Sequence, residues 1–594
     1  MSTHALLLRA VGSSIAVPHI RYLAILPEIV MIGGAVALLG LASLVRGPLR
    51  ASVSTISTVV IAGTSFGFAW WQWTDVQDHG PYTAIAHAVV VDGFSVAITL
   101  LVSSAMILTA LVSDGYMKRE GIDGPEMHVL AMLSASGAML MAEANDLIIV
   151  FLGLEILSIA LYVLAALNPR RVESGEGALK YFILGSFSSA IFVYGIALTY
   201  GATGSTGLTQ IARFLSENVL VHDGVLLAGM ALLLVGFSFK VAAVPFHMWT
   251  PDVYQGSPSP MTGFMAAVAK AGGFAALLRV FISTFGVLRT DWRPIIYALA
   301  VITLLVGAGL AVVQRDVKRM LAYSSINHAG FVLLGLQAAN GQGISSSLYY
   351  LFTYSFMVIG TFAIVTVLGR AGDGSHDLAG YRGLAKRQPV LALALAVLLL
   401  AQAGVPFTTG FLAKLQVVAA AVDAGSVPLA VIAMVSAALA AFFYLRVTVL
   451  MYGPVSPEPA AAEVGEPAHL GQSSELEAVE PDGTQQGHGQ AEVPGATGAP
   501  EGAKPLWAGS ETSIAVVDRL NSELLLEGAS AAPDEDLEVG SDEEVASDEE
   551  GSKVEVPVLT AVAIALCLGV TIVFGIIPGP LTDFAHKATL LFLP

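Results

Sequence analysis

The sequence predicts an all-α polytopic membrane protein. It expects about fourteen transmembrane helices, two inverted five-helix repeats containing broken helices, and a long disordered acidic loop. Three observations carry that prediction. Apolar residues fill 55% of the 594 positions and charged residues only 12%, about half the charge of an ordinary soluble domain. Mean hydropathy is +0.74. Apolar runs of about 20 residues, the length a helix needs to cross about 30 Å of hydrocarbon, recur along the chain. This composition argues against a water-soluble enzyme.

Spans are expected at 22–45, 51–73 and 88–112, which form an N-terminal group over 22–112. No clear small-residue cleavage site precedes residue 22, so the first span is expected to be retained rather than removed as a signal peptide. Five more follow at 127–143, 146–167, 176–200, 223–247 and 259–283, a first repeat over 127–283. The next five, at 294–313, 318–339, 345–369, 389–421 and 425–452, make a second repeat over 294–452. The run 389–421 is too long for one straight helix and contains Gly404 and Pro406, so it reads as two half-helices around an unwound stretch. The last span is expected at 554–578, within the C-terminal portion 554–594.

The net charge of −18 is a local property. Residues 453–553 hold 23 acids and three bases, whereas the rest of the chain is nearly balanced at +2. That acidic segment is rich in Pro, Gly, Ala, Glu and Ser, a composition too poor in apolar surface to offset chain entropy. Ile514, Val517, Leu520, Leu524 and Leu525 recur within it at helical spacing. A solvated insert with one transient helix is the favoured reading, and a docking site for a partner subunit the other. With the N-terminus outside, the inner loops carry thirteen Lys and Arg, among them Arg46, Lys118, Arg119, Arg171, Lys318, Arg319, Arg370 and Arg387. The outer segments carry six: Arg9, Arg21, Arg213, Arg289, Arg293 and Lys587. The positive-inside bias therefore puts both termini outside a cytoplasmic membrane and the acidic loop inside.

The single cysteine, Cys567, lies in an apolar run and can form neither a disulfide nor an iron–sulfur cluster by itself. No dinucleotide fingerprint, phosphate loop or H-E-x-x-H motif is present. A redox cofactor or nucleotide is thus expected on another chain, with no metal or cofactor site here and no nucleic-acid partner.

The informative residues are charges inside apolar spans, each costing from about 2.5 to well over 10 kcal/mol at mid-membrane. Glu155 stands in the fifth span, Lys180 in the first turns of the sixth, Lys240 deep in the seventh, Lys270 mid-eighth and Lys414 in the second half of the twelfth. One such charge reads as a structural ion pair. An acid and four lysines on separate helices read as a proton relay, because a buried lysine changes charge state with its neighbours. Lys240-Val-Ala-Ala-Val-Pro-Phe-His-Met-Trp249 and Ala403-Gly-Val-Pro-Phe-Thr-Thr-Gly-Phe-Leu-Ala-Lys414 each place Pro-Phe near a lysine in a long span. Broken helices in corresponding positions of two repeats are how many transporters build mid-membrane ion sites. His247 and His328 are candidates to bridge proton steps, with hydrogen-bonded packing as the equal alternative. A transmembrane haem is disfavoured, since no facing histidine pair is legible. Arg279 and Arg446 read as snorkelling side chains or structural ion pairs, and Glu28 as an interfacial acid.

The stretch K-V-A-A-V-P-F-H-M-W-T-P-D-V-Y-Q-G-S-P-S-P-M at 240–261 and R-D-V-K-R-M-L-A-Y-S-S-I-N-H at 315–328 resemble the hallmarks of one family. It comprises the antiporter-like membrane subunits of respiratory complex I and of multisubunit cation/proton antiporters. The resemblance spans nearly the whole chain except about 453–553. A lysine at 414 and the short tail after the last span, which leaves no room for a long lateral helix, are expected to single out one branch.

The resemblance implies a proton-translocating subunit of an NADH–quinone oxidoreductase, with a sodium/proton antiporter subunit as the alternative. It implies that Glu155 pairs with Lys240 to switch the lysine's proton affinity, that Lys270 relays protons centrally and that Lys414 serves the exit. Lys180 resembles a sixth-span lysine of less certain role. FMN and iron–sulfur clusters are then expected on other subunits. The partners implied are further membrane subunits, the peripheral NADH-oxidising arm, quinone and the lipid bilayer.

Overall fold

In a bilayer every backbone N–H and C=O must be satisfied within the protein, so apolar runs become helices. The computed structural model describes residues 21–454 and 555–588, apart from 46–48, 123, 219–222, 370–372 and 375. The acidic insert from 455 to 554, with its helical-spacing stretch 514–525, lies outside the described residues, as do Arg9, Arg46 and Arg370.

Three helices come first: α1 (Leu26–Leu44), α2 (Leu49–His79) and α3 (Gly93–Glu120). Between α2 and α3 the chain forms an unanticipated antiparallel hairpin, β1 (Tyr82–Ala84) with β2 (Val89–Val91). The next group is α4 (Glu126–Glu143), α5 (Leu147–Ala165), α6 (Val172–Thr203), the short amphipathic α7 (Leu208–Glu217), α8 (Gly224–Val241), α9 (Trp249–Gly256) and α10 (Ser259–Thr284). Then follow α11 (Arg289–Val312), α12 (Val317–Ala338), α13 (Gly341–Leu368), α14 (Pro389–Ala403), α15 (Thr409–Asp423) and α16 (Val427–Tyr452). The described part closes with α17 (Val558–Ile576) and α18 (Gly579–Lys587). Asp92, Asp146, Asp316 and Asn340 start α3, α5, α12 and α13 by accepting a backbone N–H of the first turn.

Eleven of the described helices are long and apolar enough to cross a membrane. The other three expected spans are α4, α12 and the interrupted pair α14–α15, where polar residues or a break dilute the apolar run. Both expected breaks are present. The first separates α8 from α9 over 242–248 and the second separates α14 from α15 over 404–408.

The same neighbour pattern recurs in the two five-span groups. In the first, α4 packs on α5, α6 on α8, and α10 on both α8 and α4. In the second, α11 packs on α12, α13 on α15, and α16 on both α15 and α11. Five crossings are an odd number, so the second group runs through the bilayer in the opposite sense to the first. Small residues allow the closest approaches: a Cβ on Gly137 would lie 2.5 Å from the backbone of α5, and one on Gly195 2.8 Å from that of α8. The groups interlock where α9 meets α12 and α10 meets α13. Helix α10 is the centre of the molecule; every residue of its most apolar 18-residue window is buried.

Candidate functional site

Five Lys or Arg side chains are buried among the described residues: Lys240, Lys270, Arg279, Lys318 and Lys414. Their partners divide them. Arg279 closes on Asp92 and Lys318 on Asp373, both carboxylates. The other three are held by neutral acceptors.

Lys240 occupies the last turn of α8, just before the break. Its Nζ donates to Ser158 Oγ at 2.8 Å and to the Tyr181 hydroxyl at 3.2 Å. Tyr181 is in turn stacked on Trp249, the first residue beyond the break, with ring centroids 4.4 Å apart. Glu155 lies on α5 one turn before Ser158 and accepts a short hydrogen bond from Ser189 of α6. It acts electrostatically on Lys240, yet no ion pair joins the two. A cavity of about 10 Å³ lies between their partners, lined by Ser158, Tyr162, Ser188, Ser189 and Lys240, roughly the room one water needs. The two expected partners thus each bond a serine, Lys240 to Ser158 and Glu155 to Ser189, and both serines line the same small cavity.

Lys270 stands directly after a π-helical turn, 265–269, in the middle of α10. Such turns are frequent at functional positions. Its ammonium donates to the backbone carbonyl of Ser325 on α12. Gly273, one turn further, lets α8 approach closely: a Cβ there would lie 3.3 Å from Lys240 Cγ. Ser325 Oγ accepts from Tyr354 at 2.8 Å, and the Tyr354 ring packs on His328 with centroids 4.7 Å apart.

His328 is 3% exposed and bonded on both ring nitrogens: Nδ1 to the Tyr350 hydroxyl at 2.6 Å, Nε2 to the Tyr444 hydroxyl at 3.1 Å. A neutral imidazole donates from one nitrogen and accepts on the other, so a tautomer switch passes a proton across it. Tyr444 also bonds Ser324 and, at 3.5 Å, donates to Gln402 Oε1 at the end of α14. One residue on, the Ala403 carbonyl accepts from Lys414 Nζ at 2.9 Å. This carbonyl belongs to a helix C-terminus, where a cation is favoured. Lys414 also sits 4.9 Å above the Phe331 ring.

The remaining candidates lie elsewhere. Lys180 is 43% exposed and bonds Glu176 at 2.6 Å and Asp252 at 2.9 Å, in a surface cluster that includes Arg319. Burial would raise the Asp252 carboxyl, but Lys180 and Arg319 outweigh it and hold it below its ordinary range. His247 lies inside the first break, half-buried, with Nδ1 unpartnered and no bond to the lysines. Arg446 is exposed and donates to the Val312 and Gln314 carbonyls. Arg279 does not snorkel: at 3% exposure it makes the structural ion pair instead. Glu28 is buried at 4% exposure, against Glu143 of α4. Glu143 and Asp92 went unnoticed in the sequence because span ends commonly carry acids.

A second buried cluster fastens the opposite end. Asp373 accepts from Lys318 at 3.0 Å, from the Ser259 backbone and hydroxyl at the start of α10, and faces His376 at 3.1 Å. Burial opposes its charge, but Lys318 and His376 hold the carboxyl well below the usual carboxylate range.

Comparison with known proteins places these features in context. Residues 144–440 match the family model described as NADH:quinone oxidoreductase/Mrp antiporter, transmembrane. The chain is 41% identical over 428 residues to NADH-quinone oxidoreductase subunit N of Trichlorobacter lovleyi, covering 72% of this chain and 87% of that one. It is 42% identical over 472 residues to subunit N of a Parafrankia species, covering 75% and 89%. Among solved structures, a chain of respiratory complex I from Thermus thermophilus with bound aureothin aligns with TM-score 0.66 and 26% identity, over 95% of this chain and all of that one. A chain of the Mrp complex from Dietzia aligns with TM-score 0.71 and 21% identity, over 95% and 97%, a likeness of fold alone.

Proposed function

The chain belongs to the subunit N family of NADH-quinone oxidoreductases, and from that premise we propose that Glu155, Lys240, Lys270, His328 and Lys414 carry the protons this membrane subunit translocates. It is the branch expected from the lysine at 414. One observation supports the assignment: three of five buried cations rest on neutral acceptors, while the other two are tied to carboxylates. A carboxylate partner holds a cation in one charge state. A hydroxyl or carbonyl leaves it free to gain and lose a proton.

The proposed steps start at Glu155. An ionised Glu155 favours the Lys240 ammonium through its field. When charge nearby changes, Lys240 releases its proton toward Lys270, which packs on the same face of α10 one turn from Gly273. Between Lys270 and Lys414 stands His328, whose hydrogen bonds to the Tyr350 and Tyr444 hydroxyls let a proton shift across the ring. The Ser325 and Ala403 carbonyls and the Gln402 amide oxygen only accept, so the remaining transfers on either side of the histidine are assigned to water. The break at 404–408, where Phe407 is 77% exposed, adjoins this last lysine. Lys180 and His247 are left outside the line.

The electrons come from elsewhere. FMN, iron–sulfur clusters and the quinone site belong to other subunits in this reading, since one cysteine offers no cluster ligation. The adjoining membrane subunits would connect the chain to the NADH-oxidising arm. Both termini are placed outside the cytoplasmic membrane of a bacterium. The antiporter alternative has the shared fold and the jointly described family model in its favour, whereas the relatives of 41–42% identity reported above are subunit N. The test is Lys240→Ala in the assembled complex. Proton uptake per NADH is expected to fall while electron transfer to an artificial acceptor is kept; full pumping would remove Lys240 from the path.

A further inference from the structure

Four ionisable side chains from four helices converge at the end of the bundle where α1 begins. Glu28 lies in the first turn of α1, Glu143 is the last residue of α4, Asp92 caps α3, and Arg279 opens a second π-helical turn of α10. Arg279 binds Asp92 with two hydrogen bonds of 2.8 and 2.9 Å, and its Nε donates to the Ala142 carbonyl, next to Glu143, at 2.9 Å. Glu28 and Glu143 are 4% and 0% exposed and lie against each other. Among the described residues no other side chain donates to any of their four carboxyl oxygens; what each meets is the other carboxyl and, for Glu28, its own backbone N–H nearby. The other charged or titratable groups acting here are Arg279, Asp92 and, from the hairpin, Tyr82, which also feels Asp75 and Arg21.

Two adjoining carboxyl groups to which no other side chain donates, in a water-poor site, cannot both be ionised. A proton placed between them supplies the missing donor and removes one charge. Two carboxylates are also too few for a dedicated divalent-cation site, which needs six or more oxygens. Chain order puts the pair at the face opposite the Lys318–Asp373 cluster. Arg279 stands nine residues after Lys270 on the same helix, about 13 Å along the axis. The same helix thus carries both Lys270 and the cation that, among the described residues, acts on Glu143.

We propose that Glu28 and Glu143 form a proton-binding site, one proton shared by two carboxylates, that exchanges with the aqueous side at this face during turnover. The exchange rests on the proton-translocating function; the shared proton does not. The purified complex is titrated by infrared spectroscopy in H₂O and D₂O, and the wild type is compared with Glu28→Gln, Glu143→Gln and the double variant. The expected result is a carboxylic-acid carbonyl band, shifted in D₂O, that changes in each single variant and is lost in the double. In vesicles the double variant is expected to move fewer protons per electron. An unchanged carboxylic-acid region in the double variant overturns the shared proton, and an unchanged proton-to-electron ratio overturns the exchange. If the double variant fails to assemble, the single variants, isosteric with wild type, carry the same two readouts. Full pumping by Lys240→Ala would instead count against the lysine line and leave this band in place.

Discussion

At the scale of single residues, what a buried cation touches is the observation on which the proposed proton line rests. Lys240, Lys270 and Lys414 were legible in the sequence as candidates because a charge inside an apolar run is costly and needs a reason, functional or structural. Lys318 was not, since a lysine at a span boundary reads as a loop cation, yet the fold buries it completely against Asp373. Lys180 carried a discriminating signal: Glu176 stands four residues before it, the spacing of a surface pair on a helix. The Lys318–Asp373 pair makes a definite prediction. Breaking a buried pair costs about 3–5 kcal/mol, so Asp373→Ala is expected to lower the thermal stability of the complex markedly. The Asp373 carboxyl is held below its ordinary range. Its contribution is therefore complete above the unfolded value of about 4 and lost as pH falls through the folded value. Acid melting curves of wild type and Asp373→Ala should converge on that descent; a constant gap between them would assign the stability to something other than this charge.

At the scale of elements, the two breaks and the π-helical turns place the lysines. The breaks were legible as Pro-Phe within overlong apolar runs. The π turns were not, because nothing in local composition distinguishes them from an ordinary helix. Nor was the 82–91 hairpin, whose strands are three residues each. Gly404 ties break and lysine together. It sits at φ +94°, and a Cβ on it would lie 3.1 Å from Lys414 Cδ. An alanine there pays about 1–2 kcal/mol for the left-handed conformation and crowds the lysine. Gly404→Ala is expected to assemble, with its stability lowered by about that amount, and to pump fewer protons per NADH. Measured pumping equal to wild type would mean that the exact seat of Lys414 does not matter.

At the scale of the whole molecule, the helical membrane fold with its two breaks was readable from apolar length and the Pro-Phe runs, and eleven of the described helices are long and apolar enough to cross. The neighbour pattern of the first five-span group recurs in the second. What apolar length does not encode is which helix lies at the centre. Helix α10 earns that place through small residues, Gly272 and Gly273 among them, that let α4 and α8 close on it. Its burial puts Lys270 between Lys240 on one side and His328 with Lys414 on the other. On the proposed line, a proton crossing between the two groups uses Lys270. The most direct measurement is the proton-to-electron ratio of the complex carrying Lys270→Met, reconstituted in vesicles and driven by NADH. The expected result is a lowered ratio with NADH oxidation by an artificial acceptor unchanged. A ratio equal to that of wild type would contradict a lysine line through the centre of this subunit.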